Sequence, residues 1–130
     1  MSKVTVLIAE DVEIMSRLLK SNLRTYDCEV IVEEKDGANV IMQIENSKPD
    51  MVFLDINLLN KNGLDILAEI KSKHPQLFVV MTSADATMEN IRKSLELGAS
   101  GFLSKPFSGV KIKEIMGNYK SNLAAIPKVG

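Results

Sequence analysis

The chain has 130 residues, enough for one domain with a buried core and too few for two. Hydrophobic residues make up 45% and charged residues 25%, a globular balance that excludes an overall disordered chain or a coiled coil. A net charge of -1 argues against nucleic-acid binding, and the single cysteine, Cys28, excludes an internal disulfide or a cysteine-built metal cluster.

Five short apolar or β-branched runs, at 4–9, 30–32, 51–54, 78–81 and 102–103, read as strands. The first, third and fourth scarcely alternate, which suits strands covered on both faces. Helical spacing lies between and after them. Ile14, Met15, Leu18, Leu19 and Leu23 predict one apolar stripe, with Arg17, Lys20, Ser21 and Arg24 opposite. Val40, Ile41 and Ile44 predict a second, and Leu64, Leu67 and Ile70 a third that stops near His74-Pro75. Met88, Ile91 and Leu95 predict a fourth, ended by Gly98; Ile112, Ile115, Met116, Tyr119 and Leu123 predict a fifth. A β-α unit repeated five times demands a parallel sheet with right-handed crossovers and helices on both faces. The residues 124–130 lose periodicity and read as a tail or the start of a linker after a domain at 1–123. No run is long enough to span a bilayer and the N-terminus carries no export signal, so a cytoplasmic location without membrane contact is expected.

Open α/β sheets place functional groups beyond the carboxyl ends of their strands. Here those ends carry Glu10-Asp11, Asp55, Thr82-Ser83 and Ser104-Lys105-Pro106. Three carboxylates in one place repel unless a cation relieves them, and an all-oxygen set suits Mg²⁺. Magnesium favours phosphate oxygens as further partners, with Lys105 and Ser83 able to hold others. The set therefore predicts a held phosphoryl group, where positioning and charge neutralisation do most of the chemistry. Asp55, ending the middle strand, is the natural nucleophile, because Cys28 and His74 lie elsewhere.

Glu10-Asp11, Asp55, Ser83 and Lys105-Pro106-Phe107, with Gly98-Ala99-Ser100-Gly101-Phe102 before the lysine, resemble the receiver domain of two-component response regulators over about residues 3–123. The resemblance implies a flavodoxin-like, doubly wound sheet of strand order 2-1-3-4-5, an order the family is known for. It implies that Asp55 takes a phosphoryl group from a sensor histidine kinase or a phosphotransfer protein. Asp11, Asp55 and the backbone carbonyl of Asn57 would bind Mg²⁺, with Glu10 acting through water. Lys105 would contact phosphoryl oxygens, and Lys105-Pro106 would be a cis peptide. Ser83 and Phe102 match the switch hydroxyl and switch aromatic, which remodel the face of the fourth helix, fifth strand and fifth helix. Asn57 and Asp85 match positions that tune dephosphorylation. Such a domain is a bacterial signalling switch and not a metabolic enzyme. It controls a downstream protein or its own effector domain, and the side of the fourth and fifth helices offers a surface for a homodimer on activation.

Two departures stand out. Leu58-Leu59 follows Asn57 where the family often has Met-Pro, which predicts a less rigid turn, while Gly63 matches the family glycine. The switch hydroxyl is Ser83 where threonine is commoner. An alternative class is a small Mg²⁺-dependent phosphohydrolase or toprim-like core, but Asp55-Ile56-Asn57 lacks the second aspartate. A flavin-binding module would need a phosphate loop after the first strand, which is missing. Residues 105–130 carry five lysines against Glu114, a basic excess that fits a solvated face or acidic partners. Met15, Met42 and Met116 are expected to pack, Cys28 to be small and buried or half-buried, and His74 to end a helix.

Overall fold

The computed structural model describes residues 3–125. Five strands form one parallel sheet: β1 (Val4–Ala9), β2 (Cys28–Glu34), β3 (Met51–Asp55), β4 (Phe78–Ser83) and β5 (Gly101–Ser104). They lie side by side in the order β2-β1-β3-β4-β5. Five helices connect and flank them: α1 (Glu13–Leu23), α2 (Val40–Ser47), α3 (Gly63–Lys73), α4 (Met88–Glu96) and α5 (Gly109–Ala125). Among the described residues, no helix is long and apolar enough to cross a membrane. Helix α5 continues to Ala125, past the expected boundary at 124, and the rest of the expected tail lies outside the described residues.

Two apolar clusters sandwich the sheet, because successive strand residues point to opposite faces. Val6, Ile8, Phe53 and Val80 pack on one face with Leu19 and Leu23 of α1 and Ile112, Ile115 and Met116 of α5. Leu7, Val52, Leu54 and Val79 pack on the other with Val40 and Ile44 of α2 and Ile66, Leu67 and Ile70 of α3. Strands β3 and β4 are therefore buried along their whole length. Their unbroken apolar runs are the sequence signature of a strand covered twice.

Strand β2 is longer than the expected 30–32. It pairs with β1 from Val4↔Cys28 to Ala9↔Glu34, with one irregularity at Val6/Leu7. Glu29, Glu33 and Glu34 disguise its ends, yet an edge strand with one wet face accommodates them.

Three packing expectations are corrected. In α1 the buried positions are Ser16, Leu19 and Leu23, while Ile14 is 56% exposed and Leu18 44%. Ser16 holds the inward place because its hydroxyl donates to Glu33 Oε1 at 2.8 Å. In α4 only Ser94 is buried, and Met88 is 84% exposed and Leu95 56%. The Ser94 hydroxyl donates to the Asn90 carbonyl at 2.7 Å, so this small residue packs inward with its polar atom satisfied. Met42 is also exposed, whereas Met116 is buried and Met15 half-buried. Burial holds the Cys28 thiol up at about 11, with Asp27 adding to the effect. His74 caps the end of α3 and donates its N–H to the Ile70 carbonyl.

Candidate functional site

Parallel register brings distant residues to one edge. Ala9 lies beside Leu54, Asp55 beside Thr82, and Ser83 beside Ser104. The residues that follow β1 and β5 must therefore meet around the end of β3. Glu10, Asp11 and Asp55 each bring a carboxylate oxygen within 4.8 Å of the others. Lys105 completes the group: its Nζ donates to Asp55 Oδ2 at 3.0 Å and pairs with Glu10 Oε1. The side chains of Lys105, Glu10 and Asp55 are only 9%, 3% and 5% exposed, so water screens these charges poorly. Asp11 is exposed and forms the open side.

Backbone groups fix the orientation of the acids. Asp55 Oδ1 accepts the Asn57 N–H at 3.2 Å, and Glu10 Oε2 accepts the Val12 N–H at 3.1 Å, just before α1. Burial pushes the Glu10 carboxyl above the usual range; the hydrogen bonds from Lys105 and Val12 oppose this, and the Asp55 charge adds to it. Burial works against the Lys105 ammonium, but its hydrogen bonds to Glu10 and Asp55 outweigh that and hold it above the ordinary lysine value. One ammonium faces three carboxylates, so the site carries an uncompensated negative charge. Its oxygen-only donor set and open side fit a hard divalent cation such as Mg²⁺.

The flanking residues are also placed. Ser83 is fully buried at the end of β4, and its Oγ accepts the Asp85 N–H at 2.9 Å. Its carbonyl accepts the Lys105 N–H at 2.9 Å, which joins the ends of β4 and β5. The Lys105–Pro106 peptide is cis. Asn57 and Asp85 are exposed at the rim. Phe102 stands apart from the carboxylates, half-buried against the apolar cluster on the α2–α3 face.

The turn after Asp55 lacks the proline of the usual pattern but is ordered by other means. Asn57–Leu58 pairs with Lys61–Asn62 as a short antiparallel ladder, and Asn60 takes φ 67° at its tip. Gly63 lies against Asp55 itself: a Cβ there would sit 2.1 Å from the Asp55 carbonyl oxygen. The supporting contacts of Asp36 and Gly37 against this turn escape the sequence reading, although an Asp-Gly pair is a turn signal.

The family model for the response regulator receiver domain matches residues 6–116. The chemotaxis protein CheY of Listeria monocytogenes is 32% identical over 111 residues, covering 85% of this chain and 93% of that protein. A protein-glutamate methylesterase/protein-glutamine glutaminase of Pyrococcus horikoshii is 34% identical over 116 residues, which span 85% of this chain but 30% of that protein. Among solved structures, the signal receiver domain of the putative response regulator NarL from Mycobacterium tuberculosis superposes with a TM-score of 0.82 at 26% identity. That match covers 92% of this chain and 98% of the other.

Proposed function

The chain belongs to the response regulator receiver domain family, and on that premise we propose that Asp55 is its phospho-acceptor within a domain spanning 1–123. The observation that carries this reading is the convergence of Glu10, Asp11, Asp55 and Lys105 at one sheet edge. A carboxylate facing a buried ammonium and two further acids is arranged to accept a phosphoryl group and stabilise its oxygens.

Asp11, Asp55 and the Asn57 carbonyl would hold Mg²⁺, with Glu10 acting through water, and the ion supplies positive charge against the phosphoryl oxygens. An Asp55 oxygen attacks phosphorus, forming an O–P bond as the P–N bond to the donor imidazole breaks; the imidazole leaves with a proton. Lys105 releases Asp55 Oδ2 and takes up a phosphoryl oxygen instead, while the Ser83 hydroxyl donates to another. The donor is a phosphohistidine on a sensor kinase or phosphotransfer protein. Phe102, on β5 beside Met81 and two residues before the Ser104 that pairs with Ser83, couples that rearrangement to the face of α4, β5 and α5, where a downstream partner, an effector domain or a second copy docks. Asn57 and Asp85, at the rim, set the access of hydrolytic water. The domain works as a cytoplasmic switch whose only chemistry is its own phosphorylation and dephosphorylation.

Acetyl phosphate with Mg²⁺ should add one phosphoryl group to the protein and none to Asp55→Asn, read by intact mass. Equal labelling of that variant, or labelling that ignores Mg²⁺ removal, would refute the assignment.

A further inference from the structure

Mg²⁺ demands near-octahedral geometry, so a backbone carbonyl on a loose turn is a poor ligand. Asn57 opens a turn in which Leu58 and Leu59 follow, with no proline to stiffen it. The structure shows what holds it instead. The turn is tied to the loop between β2 and α2 by backbone and side chain together. Gly37 donates its N–H to the Leu59 carbonyl at 2.8 Å, and Asp36 and Leu59 form a parallel bridge. Asn60 Nδ2 donates to Asp36 Oδ2 at 3.0 Å. The other oxygen of the same carboxylate, Oδ1, accepts the Ala38 N–H at 2.9 Å. The Asp36 N–H is in turn held by Glu34 Oε2 at 3.1 Å. Gly37 leaves no slack, because a Cβ there would lie 2.9 Å from the Lys61 carbonyl oxygen.

We propose that Asp36 and Asn60 are a positioning pair for the metal site: their hydrogen bond clamps the tip of the 57–62 turn and so fixes the Asn57 carbonyl for Mg²⁺. This rests on the reading of Asp55 and Asn57 as metal ligands. The clamp runs through the ladder, since Asn57 pairs with Asn62 and the tip residue Asn60 lies between those two strands. The pair takes the place of the missing proline. It also ties the acceptor turn to the chain leading into α2.

The test uses the whole chain and Mg²⁺ alone as probe, followed by backbone amide shifts in two-dimensional NMR. Asn60→Gly keeps the left-handed backbone permitted and removes the side chain that carries the amide. It should weaken Mg²⁺ binding about five-fold, the size expected for losing one ordinary, exposed hydrogen bond. The metal-free melting temperature should stay close to the wild-type value. The exchanged double variant Asp36→Asn/Asn60→Asp lets the amide donate from the other side and should return binding to within about two-fold of wild type. Mg²⁺ affinity unchanged in Asn60→Gly, or not recovered in the exchange, would overturn the clamp while leaving the site reading intact. A wild-type chain with no Mg²⁺-dependent shifts around Asp55 would remove the site reading and the clamp together.

Discussion

Replacing Lys105 by methionine tests the electrostatic core of the site without disturbing its packing. The variant keeps a linear apolar stem and deletes the ammonium that faces Glu10 and Asp55. All three side chains are nearly shut off from water, so the loss falls in the range for breaking a buried pair, about 3 kcal/mol. For a domain of this size that corresponds to a fall of about 10 °C in melting temperature. The pH dependence has a fixed sign. Glu10 has a folded pKa raised above its unfolded value, so it favours the fold fully below the unfolded value and less as pH rises through the folded one. Deleting the ammonium raises Glu10 further. The deficit of the variant should therefore be smaller at about pH 5 than at about pH 8, the direction set by the raised Glu10 carboxyl. Urea unfolding in the presence of a chelator, at both pH values, measures this directly. Adding Glu10→Gln to the variant should recover much of the loss. A Lys105→Met protein as stable as wild type at about pH 8, or one whose deficit shrinks as pH rises, would refute the view that these charges hold one another in place.

Gly63→Ala places a methyl 2.1 Å from the Asp55 carbonyl, so it should cost about 2 kcal/mol or more in urea unfolding and abolish acyl-phosphate formation. Ser16→Ala deletes the hydroxyl that satisfies Glu33 under α1 and should cost about 1 kcal/mol, read from the same unfolding curves. Cys28, buried and with its thiol at about 11, should resist iodoacetamide at neutral pH until the fold is opened by urea. Met88→Gln, by contrast, should change stability by less than about 0.5 kcal/mol, because that side chain faces water.

Several features were legible in the residues alone because they are local. The unbroken runs of β1, β3 and β4 announce strands covered on both faces, and His74-Pro75 and Gly98 mark helix ends by simple backbone rules. The strand ends then point to Glu10, Asp11, Asp55, Ser83 and Lys105, since a parallel sheet has one carboxyl edge. Family membership also selects the signalling reading over a phosphohydrolase core. Charge hid the ends of β2, however, because glutamates on an edge strand look like loop. The stripes of α1 and α4 misled for a related reason: periodicity shows that a helix has an apolar face, not that this face is turned inward. Ser16 and Ser94 occupy the inner positions, and what admits them is a hydrogen bond to Glu33 in one case and to the helix's own carbonyl in the other.

What the amino-acid sequence determined by itself was therefore the alternating order of strands and helices and the chemical membership of the site, both consequences of side-chain type and spacing. Tertiary structure alone decided which of these groups bond to one another. Lys105 comes to span Glu10 and Asp55 because β1, β3 and β5 end at one level. Asp36 reaches Asn60 because the β2–α2 loop folds over the turn after Asp55. Those pairs join residues 95, 50 and 24 positions apart, and separations of that length are set by packing of the whole sheet, not by any local preference of the chain.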